Sequence, residues 1–289
     1  MTVTVNNGLL KAHHQWQNAG QAARPLQLLI LNLMPTKATT ERQFLNRLTG
    51  ATPDVAVTFM YPASHHFKSI ARDVIEQNYV NLAQIEDQYF DGLIVTGAPV
   101  EQLPFEAVDY WEELEAIIDW AHRHVQQTLF ECWAAQAGLY EQFNIQKRLV
   151  GHKVFGIYSA TTVDQHSRLV SGLSAGGLLK MPQSRHTELV LPATLPGDLR
   201  VVASNDQVGP LLLSAPSQHA VYVTGHPEYE ATTLADEYFR DRRKQLPINL
   251  PQHYFKDARL SRINYNWSAA SHRLYQNWLA TLTLTKVGL

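Results

Sequence analysis

Cysteine is nearly absent: Cys132 is the only one in 289 residues. A single thiol excludes an intrachain disulfide, which fits a reducing cytoplasm, and excludes the paired thiolates of a structural zinc site. Basic clusters are missing too. With 24 Lys and Arg against 26 Asp and Glu, the net charge is −2. No stretch is positive enough to make nucleic acid or an anionic membrane a main partner. No apolar run approaches the ~20 residues that cross a bilayer, and the opening Met1-Thr-Val-Thr-Val5 lacks the basic-then-apolar pattern of a signal peptide. The 13 histidines are scattered without a ligand spacing, so no metal and no bound cofactor is expected. Repeats and low-complexity tracts are absent. What remains is a chain 45% hydrophobic and 17% charged, long enough for one large core, with no linker composition to divide it.

Residues 1–24 are polar and predict a loose N-terminal arm, with residues 25–289 as a single domain. Leu26–Leu33 is a near-continuous apolar run, as a strand buried on both faces requires. Thr40–Leu48 has helical spacing, Val55–Tyr61 is a second strand, and Ser69–Asn78 a weaker helix. Gly92–Gly97 is a third strand entering a glycine turn. Phe105–Val125 predicts one long amphipathic helix, with Trp111, Leu114, Ile117, Ile118 and Ala121 on one face. Strand alternating with helix predicts an α/β fold: a mostly parallel sheet with helices on both faces. Past residue 150 the strands are short and divided by turn residues, which suits added antiparallel strands extending that sheet. Helices resume at 232–245 and 268–282.

Cys132 lies between the apolar Leu129-Phe130 and the helical stretch that begins at Trp133. A side chain on such a turn is pushed out at the carboxyl edge of a sheet, beside helix amides whose partial charge favours thiolate. Val221-Tyr-Val-Thr-Gly-His-Pro-Glu228 is a second apolar strand that runs out into His226 and Glu228. Two residues apart, these project from the same side of an extended chain. Cysteine, histidine and carboxylate are the parts of an activated thiol. A lone cysteine can equally be a small buried hydrophobe, and a strand-end histidine can be satisfied by backbone. Four loops leave carboxyl ends of predicted strands, where open parallel sheets bind ligands: Met34–Lys37, Thr96–Glu101, Glu131–Trp133 and Gly225–Glu228.

Asn32-Leu-Met-Pro-Thr-Lys37, Phe90-Asp-Gly-Leu-Ile-Val-Thr-Gly-Ala-Pro99, Cys132-Trp with Gln136-Ala137, and Gly225-His-Pro-Glu-Tyr229 with Glu237 and Phe239-Arg-Asp241 carry a resemblance. From about residue 24 to the end, the chain resembles the homoserine O-acyltransferase family. The resemblance implies a flavodoxin-like, class I glutamine amidotransferase-like fold and a Cys132–His226–Glu228 triad. Cys132 would take an acyl group from acyl-CoA, and His226 would activate an amino-acid hydroxyl to attack the thioester. Lys37 would face the oxyanion or the substrate carboxylate, and the Trp133 amide the oxyanion. Glu237 and Arg240, with Arg185, would contact the amino acid. The implied partners are acetyl-CoA and a small hydroxy amino acid, and a homodimer is compatible with them.

Glu101 stands where family members that use succinyl-CoA resemble one another in having glycine. A carboxylate there fills space and repels a second one, which implies acetyl as the acyl group. The chain departs from the family pattern at Gly156-Ile-Tyr-Ser-Ala160, Pro182-Gln-Ser-Arg185 and Trp267-Ser-Ala-Ala-Ser-His272. Small or neutral groups replace larger or ionisable ones, and the expected acceptor is accordingly L-serine, with L-homoserine the alternative. A pocket distinguishes one methylene by only ~1–3 kcal/mol, so few changes would be needed. A glutaminase module is a remoter reading, because Phe130 and Ala134 stand where such enzymes flank their cysteine with glycines. A non-catalytic relative is disfavoured by the complete triad.

Overall fold

A run such as Leu26–Leu31 avoids water on both faces only inside a sheet that helices cover from both sides. That is its setting in the computed structural model, which describes residues 2–18, 20, 23–50, 52–173 and 179–284. In chain order the elements are β1 (Val3–Val5), α1 (Leu9–Ala12), β2 (Leu26–Leu31), α2 (Lys37–Leu48), β3 (Val55–Met60) and α3 (Arg72–Asn78). Next come β4 (Phe90–Val95), α4 (Trp111–His124), β5 (Val125–Glu131) and α5 (Trp133–Phe143). β6 (Lys147–Ser159), β7 (Thr162–Val163), β8 (Lys180–Leu189), β9 (Arg200–Asn205), β10 (Gly209–Ala215) and β11 (Ala220–Val223) follow, then α6 (Thr233–Arg243) and α7 (Ser268–Leu284).

Nine strands form one sheet in the order β1-β3-β2-β4-β5-β11-β10-β9-β7. From β1 to β11 every neighbouring pair is parallel; β10, β9 and β7 extend the sheet antiparallel. Strand alternation sorts the core. Leu28 and Ile30 pack with Phe44 of α2 and Trp278 of α7, while Leu29 and Leu31 pack with Ile117 of α4 and Ala134 of α5.

Several expectations change. The N-terminal segment is not a loose arm: Val3–Val5 pairs with Val55–Val57 at the sheet edge, and Leu9 and Leu10 are buried. Residues 1, 19, 21 and 22 of that arm, and 51, 174–178 and 285–289 of the expected domain, lie outside the described residues. The single helix over 105–125 is a 3-10 turn, Phe105–Ala107, followed by α4, because Val125 pairs with Phe90 and is drawn into β5. Ser69–Ala71 precede the third helix rather than belong to it. Of the later strands, β6 and β8 do not extend the main sheet; they form a separate antiparallel pair. β11 is parallel, inserted beside β5 with Val223 opposite Glu131. That insertion sets the ends of β2, β4, β5 and β11 side by side, with all four expected loops leaving one edge.

Candidate active site

Cys132 takes φ 50° and ψ −114°, outside the regions ordinary residues favour. A strained turn of this kind costs on the order of 1–3 kcal/mol and persists where its surroundings impose it. Here the Cys132 N–H donates to the Val223 carbonyl at 2.7 Å, and α5 starts at the next residue. The Trp133 N–H is therefore a first-turn amide with no acceptor inside its helix. Its indole packs against Phe105 and Tyr110.

His226 and Glu228 leave β11 on the same edge, and both are buried. The Nδ1 of His226 lies 2.8 Å from Glu228 Oε1, and the imidazole is in hydrogen-bond contact with Cys132. Burial by itself would lower the imidazole pKa. The charges of Cys132 and Glu228, and hydrogen bonds to both, outweigh it and hold His226 well above the ordinary histidine value. Such a group can take a thiol proton and keep it. Tyr229 stacks on the imidazole, ring centroids 4.1 Å apart. Two glycines make room. A Cβ on Gly97 would stand 3.2 Å from Cys132 Cβ and 3.3 Å from His226 Cε1, and one on Gly225 would meet the Pro182 carbonyl at 2.4 Å.

The other expected site residues divide. Glu101 sits toward the Cys132 helix: its Oε2 is 3.4 Å from Thr187 Oγ1, which donates to Gln136 Oε1 at 2.9 Å. Gln136 is one turn along α5, with its N–H on the Cys132 carbonyl. Arg185 is not a free substrate contact. It is buried, donating to Gln183 Oε1 and to the carbonyls of Thr187 and Val208, so its charge reaches Cys132 and Glu101 only through space. Lys37 opens α2 behind β2, with Nζ on the Asn32 carbonyl; burial lowers its pKa to about 7. It lines a cavity of about 580 Å³ with Met34, Phe67, Pro99, Val100 and Tyr110.

Glu237 and Arg240 share a face of α6, 3.7 Å apart, but neither is unpaired. Glu237 meets Lys153 at 2.5 Å and accepts from Ser184 Oγ at 2.9 Å; Arg240 Nε donates to Asp241 at 2.7 Å. The half-exposed guanidinium keeps its terminal N–H donors. Burial, and after it the charges of Glu237, Glu228 and Cys132, hold the Tyr229 hydroxyl well above the ordinary tyrosine value.

Sequence reasoning assigned no role to Glu131, Arg47, Lys153, Tyr229 or Tyr275. Arg47 binds the Pro227 and Tyr229 carbonyls from α2 and so holds the loop that carries His226 and Glu228. A buried arginine within an amphipathic helix carries no local signal of its partner. The departures from the family pattern also find places. Ser268 accepts from Arg47, and Gln183 accepts from Arg185. Ser159 lines a different cavity with Asn205, His253 and Asn266.

A family model described as homoserine O-succinyltransferase matches residues 4–287. The chain belongs to the homoserine O-acyltransferase family. It is thus an acyl-CoA-dependent amino-acid O-acyltransferase. A homoserine O-acetyltransferase of Bacillus licheniformis is 40% identical over 261 residues, 90% of this chain and 86% of that protein. One from Geobacillus kaustophilus is 41% identical over 262 residues, again 90% and 86%. One from Streptococcus pneumoniae is 39% identical over 263 residues, 90% and 83%. Among solved structures, a glutamine amidotransferase of Thermotoga maritima superposes with TM-score 0.58 at 11% identity, covering 90% of this chain and 98% of that one. One from Methylobacillus flagellatus gives 0.58 at 13%, covering 90% and 95%. At such identities the likeness establishes the fold, a class I glutamine amidotransferase-like α/β sheet.

Proposed function

We propose that this protein is an L-homoserine O-acetyltransferase. Cys132 sulfur attacks the thioester carbonyl of acetyl-CoA, coenzyme A leaves as the thiol, and the acetyl group rests on the enzyme. His226 gives the proton that the leaving sulfur needs. It then takes the proton of the homoserine hydroxyl as that oxygen attacks, releasing O-acetyl-L-homoserine and restoring the thiol. Glu228 orients the imidazole through Nδ1, and the Trp133 amide and Lys37 act on the oxyanion. Acetyl-CoA is a substrate here; the reading needs no bound cofactor.

One observation carries this reading: a strained Cys132 under a Glu228-held imidazole, in a chain about two-fifths identical to homoserine O-acetyltransferases over 90% of its length. The relatives' names favour homoserine over the serine acceptor expected from the departures. Of those departures, Ser268 accepts from Arg47 and Ser159 lines another cavity. For the donor, Glu101 beside Thr187 and Gln136 supports acetyl, since a succinyl carboxylate would meet a like charge. For the acceptor, the Arg240 terminal donors suit a carboxylate and Glu237 an ammonium.

The test is a matrix of acetyl-CoA and succinyl-CoA against L-homoserine and L-serine, with mass mapping of the enzyme adduct. The expected outcome is one acetyl on Cys132, kcat/KM for homoserine about tenfold or more above serine, ~1.4 kcal/mol in transition-state binding, and a donor gap that narrows in Glu101→Gly. Serine ahead of homoserine would move the protein to the other acceptor, and an adduct elsewhere would remove Cys132 from the chemistry.

A further inference from the structure

Glu131 ends β5, one residue before Cys132, and its side chain is fully out of water. The preceding residues, Leu129 and Phe130, are apolar and buried, so a carboxyl at this point needs a reason. Its Oε1 accepts from the Tyr275 hydroxyl of α7 at 2.5 Å. Its other side is in hydrogen-bond contact with Glu228. The Oε2 atoms of both glutamates are buried, and neither has a hydrogen-bond donor beside it. Two carboxyls in contact away from water do not both ionise; they share a proton.

We propose that Glu131 carries this proton and donates it to Glu228, so that a neutral carboxylic acid, itself held by Tyr275, backs the His226–Glu228 pair. The proposal deepens the function proposed above, adding a positioning residue to its triad. The direction of the hydrogen bond follows from the neighbours. Glu228 Oε1 faces the imidazole, whose positive charge favours an ionised partner. Glu131 meets the Tyr275 hydroxyl from α7 and Glu228 and His226 from the loop after β11, and Cys132 follows it in the chain; the Arg47 cation of α2 bears on Tyr275. Burial, and after it the charge of Glu228, push the Glu131 carboxyl well above the usual range. The shared proton locks the Glu228 carboxylate and draws charge from the oxygen that holds His226.

The experiment compares Glu131→Gln, Glu131→Leu and Tyr275→Phe in the full chain by NMR titration of His226 and by steady-state kinetics. Glutamine keeps an acceptor for Tyr275 and a donor for Glu228, so it rescues what leucine loses. Glu131→Leu strips the donor and concentrates charge on the oxygen facing His226. Its titration midpoint is expected to rise by about one pH unit, and kcat to fall about tenfold or more with KM little changed. Tyr275→Phe is expected to give a smaller shift in the same direction, which serves if the leucine variant does not fold. A rise in Glu131→Gln equal to that in Glu131→Leu or Tyr275→Phe would mean that the charge sits on Glu131 and would overturn the proposal. An unmoved midpoint in both of the disrupting variants would overturn it too. Because the titration needs no substrate, it stands apart from the acetyl-transfer assay: loss of that reading leaves the midpoints to decide this one.

Discussion

Lys37 shows what burial does to one cation. The residue is 3% exposed, and desolvation takes its pKa from 10.5 to about 7 although Glu41 pulls upward. The folded-state value lies below the unfolded one, so between about pH 7 and 10.5 the unfolded chain binds the extra proton. Stability from this residue therefore grows as pH rises across that window and is lost as pH falls toward 7. In urea titrations at about pH 6.5 and pH 9.5, the wild type is expected to gain more than ~1 kcal/mol on Lys37→Met between the two conditions. An equal gain by both proteins would show that Lys37 titrates as an ordinary surface lysine.

At the scale of elements, α2 and α7 cooperate to hold a loop neither belongs to. Arg47, buried on α2, donates to the Pro227 carbonyl at 3.1 Å and the Tyr229 carbonyl at 2.7 Å, and its other donors reach Tyr265 and, at the start of α7, Ser268. Trp267 adds its indole N–H to the Tyr229 carbonyl at 2.9 Å. Arg47→Met keeps the aliphatic stem but strips the Pro227 carbonyl of its donor and leaves the Tyr229 carbonyl to Trp267 alone, at ~1–3 kcal/mol for a group left unpaired. Chemical denaturation should show that loss together with a fall in kcat, because the His226–Glu228 loop is no longer held. Arg47→Lys should recover only part of it, since a point charge cannot span acceptors that a planar fork reaches. Full stability and full turnover in Arg47→Met would leave the loop self-supporting.

For the whole molecule, the N-terminal segment finishes the fold. Val3 and Val5 complete the sheet edge, Leu9 and Leu10 enter the core, and the amides of Leu9 and Leu10 donate to buried Glu41 at 2.7 and 2.8 Å. Deleting residues 2–12 exposes β3 as an edge and strips that carboxyl of two donors. A loss of at least ~3 kcal/mol is expected in urea melts, from the four buried apolar side chains removed and from a Glu41 carboxyl left with Tyr79 as its donor. An unchanged midpoint would make the segment the loose arm its polarity suggested. The parallel sheet, its double cover of helices and the thiol at a strand-to-helix turn were legible in the sequence. Each rests on local periodicity: a run buried on both faces, a 3.6-residue stripe, a turn between them. The Cys132, His226 and Glu228 set was legible because its members sit in short distinctive stretches. Partners were not. Nothing local says that β11 inserts parallel beside β5 while β6 and β8 pair apart, or that Arg185 is consumed by carbonyls. Nor does anything local say that Tyr275, 144 residues from Glu131, supplies its hydrogen bond. Pairing of strands and of buried charges is decided by which groups the folded chain leaves unsatisfied at the same point in space, and only the tertiary structure brings them there.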